Sequence, residues 1–272
     1  MQIDIHSHII PGVDDGSPDR ETSLAMLRQA AESGTTDIIA TPHVIDVSTT
    51  LTWDIIKRHA ERLQKEADAA GIPIRVYPGA ETELNYDLLE MIRQDRSAFC
   101  LAGSRYLLME MPSLMLPPHL DEMIYELQLL DIVPVLAHPE RQMQLMEHPE
   151  RLLALLKKGV LTQCNGNSLT GVFGPRVRHN LKKLLDNRMV CFMGSDAHNL
   201  RHRNTDLKEA AQMLAEGWGE ERRQAILALR PKAILENRPP DAINFAADLP
   251  EQVTAAQHKK EEKKGFFAKL FG

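Results

Sequence analysis

The chain has 272 residues, enough for one large α/β barrel or two smaller domains at about 150 residues each, and a formal charge of -6 that offers no general attraction to nucleic acid. No stretch approaches the ~20 apolar residues that span a bilayer, and no basic segment followed by an apolar run marks a secretory leader. Three scattered cysteines, Cys100, Cys164 and Cys191, argue against a disulfide framework or a Cys-rich zinc site and for a cytoplasmic protein in which they fill the core.

In chain order, an apolar run predicts a strand over 2–6, and a helix over 19–33 opens at Ser17-Pro18-Asp19 and stops at Gly34. A strand over 37–41 follows, then a helix marked by Ile56, Ala60, Leu63, Ala67 and Ala70 that ends at Gly71. Further strands are expected over 74–80, 105–110, 132–137, 160–164 and 190–194, with helices near 85–94, 117–130, 149–158, 176–187 and 205–216. Seven strands alternating with helices imply parallel βα units, which suit a closed or nearly closed barrel or an open doubly wound sheet. This pattern covers residues 1–240; residues 241–265 read as a flexible linker and 266–272 as a short aromatic C-terminal segment. Residues 259–272 carry five lysines, two glutamates and Phe266, Phe267, Leu270 and Phe271, which suits contact with an anionic membrane surface or a partner.

Metal-binding residue types stand at the ends of six of these strands. The first delivers His6 and His8, two apart and therefore on the same side of a strand, followed by Asp14-Asp15-Gly16. The others deliver His43, Glu81, Glu110, His138, and finally Asp196 with His198. In a parallel barrel these ends share one face, where barrel active sites lie. Taken singly, each has an ordinary structural role open to it; together they are more than one ion needs. Imidazole mixed with carboxylate suits zinc, manganese or iron. The sixth strand ends in Gln163, Cys164 and Asn165 and is ambiguous.

The ordered set His6-x-His8, Asp14-Asp15-Gly16, Thr41-Pro42-His43, Gly79-Ala80-Glu81, Glu110, His138-x-x-Arg141 and Ser195-Asp196-x-His198 resembles the polymerase and histidinol phosphatase (PHP) superfamily. Within it, the opening Asp4-Ile5-His6-Ser7-His8 to Ser17 is similar to the metal-dependent tyrosine-protein phosphatases of bacterial capsule and exopolysaccharide loci. The resemblance implies a distorted (β/α)7 barrel holding three divalent ions, Mn2+ foremost with Fe or Zn2+ as alternatives. By the same resemblance His6, His8, Glu81 and Asp196 hold the first ion, Glu81, Glu110 and His138 the second, and Asp14, His43 and His198 the third. Arg141 and Arg203 match arginines placed beside the substrate phosphate. The implied reaction is attack on phosphotyrosine by a metal-bridging hydroxide, and the implied partner is a bacterial tyrosine kinase that regulates polysaccharide export.

A Cys-based phosphatase loop is absent, because the residues six beyond the cysteines are Tyr106, Thr170 and Ala197 and none is arginine. Two other functions share the sequence features: a histidinol-phosphatase or other small-molecule phosphoesterase on the same barrel, and a metal-stabilised binding module without catalysis. A nuclease is disfavoured by the negative charge and the lack of a basic stripe.

Overall fold

The computed structural model describes residues 2–44, 51–112, 115–243 and 245–254. Among these, the strand segments are β1 (Gln2–Ser7), β2 (Thr35–Ala40), β3 (His43–Val44), β4 (Arg75–Pro78), β5 (Glu81–Glu83), β6 (Tyr106–Glu110), β7 (Val133–Ala137), β8 (Leu161–Asn165) and β9 (Phe192–Gly194). Every pairing is parallel, in the orders β1-β2-β4 and β3-β5-β6-β7-β8-β9. The segments β2 and β3 are two halves of one strand position broken at Thr41-Pro42, and β4 and β5 are halves broken at Gly79-Ala80. A proline without an N–H cannot extend the ladder, so the break at Pro42 is local chemistry. At Gly79 any Cβ would meet Ile39 Cγ2 at 2.8 Å, so the neighbouring strand demands glycine there.

Seven strand positions result, and the ring closes where Ser7 bridges Ala197. That closure rests on Asp196 N–H to His6 O at 2.8 Å and His8 N–H to Ala197 O at 2.9 Å. The fold is a distorted (β/α)7 barrel. Strand β7 is buried at every residue, as expected of a parallel strand covered on both faces.

The surrounding helices are α1 (Arg20–Glu32), α2 (Trp53–Ala69), α3 (Tyr86–Gln94), α4 (Leu120–Leu129), α5 (Met143–Glu147), α6 (Pro149–Lys157), α7 (Gly166–Thr170), α8 (Gly174–Asp186), α9 (Lys208–Trp218), α10 (Glu220–Gln224) and α11 (Arg230–Leu235). Helix α1 starts two residues later than Ser17 suggests, because the cap is Asp19, whose carboxylate accepts from Thr22 N–H at 2.8 Å. On α2 the buried residues Ile56, Ala60, Leu63 and Ala67 reproduce the expected stripe, each large side chain contributing about 1.5–3 kcal/mol by burial, whereas Ala70 caps the helix and is exposed. Helices α5 and α7 escape a periodicity reading because five residues give too short a window. Helices α10 and α11 are joined through a π-helical turn at Ala225–Leu229, which breaks the apolar period.

The expected linker 241–265 is described as far as residue 254, and there it lies against the barrel. Ile243 and Phe245 are buried, Lys157 Nζ donates to Glu251 O at 2.9 Å, and Thr254 N–H donates to Asn187 Oδ1 at 2.7 Å. The remainder of that segment and the aromatic segment 266–272 lie outside the described residues. No described helix is long and apolar enough to cross a membrane.

Candidate metal centre

The C-terminal ends of the strands meet at one mouth of the barrel, and all nine expected ligands stand there. His6 lies near the end of β1 and His8 just past it, His43 begins β3, Glu81 begins β5, and Glu110 ends β6. His138 follows β7, and Asp196 and His198 follow β9. Asp4, buried one turn of the pleat below His6, ties the two ends of the ring together by accepting from Ser195 N–H at 2.9 Å and His6 N–H at 3.2 Å.

His6, His8, Glu81 and Asp196 offer four ligand atoms within 4.8 Å of one another, all on buried side chains. Glu81 Oε2 is the centre of this group: His6 Nε2 lies 3.2 Å away, His8 Nε2 3.3 Å and His43 Nδ1 3.3 Å. Yet Glu81 Oε2 takes part in no hydrogen bond among the described residues, and neither does the buried His198 Nε2. Buried polar atoms are ordinarily satisfied, so an unpartnered carboxylate oxygen and an unpartnered imidazole nitrogen among so many other donor atoms fit a set of shared cations.

His43, Glu81 and Glu110 form a second group. His138 joins it from the other side, with Nε2 2.8 Å from Glu81 Oε1 and 3.7 Å from Glu110 Oε1. A third group consists of His8, Asp15, His43 and His198. Asp15 Oδ1 lies 3.2 Å from His198 Nε2 and 3.6 Å from His43 Nε2. Asp14 stands behind this group: its carboxylate meets His8 Nδ1 at 2.7 Å and accepts from the backbone N–H of Gly16 at 3.0 Å and of His43 at 3.1 Å. The turn is pinned by Gly16, where a Cβ would fall 2.2 Å from His8 O.

The electrostatics reflect the crowding of acids and imidazoles. Burial alone would push His6 and His8 down, but the surrounding carboxylates outweigh it, Glu81 and Asp196 for His6 and Asp14, Asp196 and Glu81 for His8. His6 therefore titrates above the usual histidine range, and His8 well above it. Burial likewise opposes the charged forms of Glu81 and Asp196, and the imidazoles, His6 foremost, overcome it and hold both well below the usual carboxylate range. His198 differs, because burial and then the neighbouring His8 push it down to about 4.

Arg141 Nη1 lies 3.0 Å from Asp196 Oδ2, and Arg203 Nη2 lies 2.7 Å from Asp196 Oδ1. Both guanidinium groups lie over Phe173, at 4.8 and 5.7 Å from its centroid, so one ring faces two cations. Residue order along the chain gives no signal for Phe173. Asp15 was visible in the Asp-Asp-Gly turn, where nothing in the sequence ranks one aspartate over the other. Gln163 and Asn165, at the ambiguous sixth strand end, contact His6 and Asp196 respectively. The cysteines are fully buried with thiols pushed up by burial, which leaves them unsuited to nucleophilic attack.

A parallel barrel whose mouth gathers histidines and carboxylates around shared cation positions defines a metal-dependent barrel protein of the hydrolase type. The chain belongs to the CpsB/CapC family, described as capsular polysaccharide synthesis, whose model matches residues 2–236. It is 34% identical over 242 residues to the tyrosine-protein phosphatase YwqE of Bacillus subtilis (strain 168), covering 87% of this chain and 95% of that protein. It is 28% identical to the tyrosine-protein phosphatase CpsB of Streptococcus agalactiae serotype III, covering 86% of this chain and 98% of that one. A solved structure matches with a TM-score of 0.82 at 33% identity, covering 87% of this chain and 95% of the other. It comes from crystallographic work on YwqE from Bacillus subtilis and CpsB from Streptococcus pneumoniae, described there as unique metal-dependent tyrosine phosphatases.

Proposed function

We propose that this chain is a metal-dependent protein-tyrosine phosphatase acting in polysaccharide synthesis, with the phosphotyrosine-bearing tail of a bacterial tyrosine kinase as its substrate. The observation that carries the reading is Glu81 Oε2, buried, without a hydrogen bond, and facing three imidazole nitrogens at 3.2 to 3.3 Å. The relatives named as tyrosine-protein phosphatases support the choice of phosphoester.

Three divalent ions fit the donor set, with manganese first and iron or zinc as alternatives. His6, His8, Glu81 and Asp196 would hold the first ion; Glu81 and Glu110, with His43 or His138, the second. His43 and His198 would hold the third together with Asp15, whose carboxylate faces both, while Asp14 orients His8 from behind. Bound divalent cations supply a water of pKa about 7 and neutralise charge on the phosphoryl oxygens. The chain's own part is to hold these groups rigidly and to present Arg141 and Arg203 to the phosphate. Both arginines remain partly open to solvent at the mouth, as do His43 and Glu110. A tyrosyl leaving group has a conjugate acid of pKa about 10 and departs more readily than an aliphatic alkoxide.

The protein would work in the cytoplasm, with residues 259–272 touching the inner membrane surface or a partner. Loading the purified protein with Mn2+ and comparing phosphotyrosine peptide, phosphoserine peptide, histidinol phosphate and a nucleic acid tests the assignment. Phosphotyrosine is expected to have the highest kcat/KM. A tenfold preference for histidinol phosphate, about 1.4 kcal/mol in transition-state stabilisation, would transfer the assignment to a small-molecule phosphatase.

A further inference from the structure

Behind the first-ion group, on the side away from the ligand atoms, runs a line of buried amides. His6 Nδ1 is 2.8 Å from Gln163 Oε1, Gln163 Nε2 is 3.0 Å from Asn165 Oδ1, and Asn165 Nδ2 is 2.6 Å from Asp196 Oδ2. Gln163 and Asn165 are both completely buried.

The direction of every hydrogen bond in this line follows from its acidic end. Asp196 is paired with the guanidiniums of Arg141 and Arg203 and its carboxylate only accepts, so Asn165 must turn its NH2 toward Asp196 and its carbonyl oxygen toward Gln163. That oxygen accepts, so Gln163 presents its NH2, which also donates to the Cys164 carbonyl at 2.9 Å and cannot be flipped without facing oxygen against oxygen. The Gln163 oxygen is then left for His6 Nδ1, which must carry the hydrogen. His6 Nε2 is free to offer its lone pair toward Glu81 Oε2 and His8 Nε2, each 3.2 Å away.

We propose that Gln163 and Asn165 are positioning residues that form a one-way amide relay, by which Asp196 fixes the tautomer of His6, so that two of the four ligands of the first ion are locked in register. The relay spans three strand positions: β1, β8 and the loop after β9. Its middle is anchored independently, since the Asn165 backbone N–H donates to the buried Glu140 Oε1 at 2.9 Å, and the same oxygen accepts from Ser168 Oγ at 2.8 Å. The Asp196 oxygen used by the relay is Oδ2, while Oδ1, which accepts from Arg203 Nη2 at 2.7 Å, lies on the side of His6 Nε2 at 3.6 Å and His8 Nε2 at 3.5 Å. The relay rests on the assignment of His6 and Asp196 to one ion.

The test uses the full chain stripped of metal, with 15N-labelled histidine, titrated with Zn2+ because zinc is diamagnetic. Wild type with one equivalent of zinc should show His6 as the Nδ1–H form in long-range 1H–15N spectra. Gln163→Met, similar in size but without hydrogen bonds, should lose that signature and bind the first zinc about 10- to 100-fold more weakly. Asn165→Ala should weaken zinc binding similarly, and the double variant should be no worse than the poorer single one, because both interrupt the same line. Melting of the metal-free variants reports folding, and if Gln163→Met does not fold, Asn165→Ala carries the test. Wild-type tautomer and zinc affinity in a folded variant would overturn the relay. A His6→Ala variant separates the two levels: if it loses one zinc while the relay variants bind normally, the relay alone fails. If it keeps the full zinc complement, the ligand assignment fails and the relay with it.

Discussion

Metal loading should expel protons, and the number follows from the site. In the metal-free protein His6 sits above the usual histidine value of 6.5 and His8 well above it, so at that pH each is more than half protonated. An ion accepts only neutral imidazole, and therefore filling the first group displaces more than one proton. His198 contributes none, because at about 4 it is already neutral. Each proton released corresponds to about a 10-fold rise in apparent affinity per pH unit, ~1.4 kcal/mol, until the raised histidine values are passed. Stability without metal runs the other way. The contribution of His6 and His8 is fully present below 6.5 and is lost as pH rises through their raised values. That of Glu81 and Asp196 is present above their ordinary values of 4.5 and 3.8 and is lost as pH falls through the depressed ones. The metal-free melting temperature should thus peak between about pH 4.5 and 6.5, and the increment given by metal should grow above that window. Zinc titration calorimetry at about pH 6.5 in two buffers of different ionisation heat counts the protons directly. Release of fewer than half a proton per first ion would refute this account of the cluster.

Glu81→Ala should remove two ions together, since both of its oxygens face imidazoles of different groups, and abolish most phosphatase activity; metal analysis and steady-state kinetics read both. Cys164→Ser should leave turnover near wild type. Arg141→Ala and Arg203→Ala should each lower kcat about 10- to 100-fold, the worth of a charge-assisted hydrogen bond of ~1.5–3 kcal/mol, with metal content retained; parallel loss of melting temperature and activity would make them structural instead. Removal of the C-terminal segment belongs after Thr254, because a cut at Pro240 would strip the buried Ile243 and Phe245 from the barrel. That truncation should preserve hydrolysis of a small phosphoester and reduce binding to anionic vesicles, and unchanged binding would remove the membrane role of residues 259–272.

The barrel was legible because each βα unit carries its own punctuation. Gly34 and Gly71 follow the first two helices with φ of +98° and +66°, and the stripe on α2 is apolar at the predicted spacings. What stayed hidden depends on contacts between distant segments. The choice between Asp14 and Asp15 is made by a turn that sends one carboxylate to His8 and the other toward His198, a matter of loop geometry. Phe173 sits 32 residues from Arg141 and 30 from Arg203, and only the packing of α8 brings it under both guanidiniums. Gln163 and Asn165 alternate with Cys164 as on any strand, and their role appears only once the closed ring brings β1 and the loop after β9 to the same mouth. The short continuations β3 and β5 lie beyond the expected strands 37–41 and 74–80, because the two-residue breaks Thr41-Pro42 and Gly79-Ala80 interrupt the run before each of them.

The backbone at this site also departs from what the fold would choose by itself. His138 and Asp196 have φ of +32° and +51°, in the left-handed region that costs a side-chain-bearing residue about 1–3 kcal/mol. Both are strand-end residues, and the turn swings each side chain from the strand direction into the barrel mouth. The strain persists because the barrel holds the same residues by their backbones, His138 N–H on Gln163 O at 2.7 Å and Asp196 N–H on His6 O at 2.8 Å. Glycine would relax either position but removes the carboxylate or imidazole proposed as a ligand. The ring of strands therefore acts at two levels: its hydrogen bonds close the barrel, and at its C-terminal rim they impose the unfavourable conformations that aim carboxylate and imidazole at a common centre.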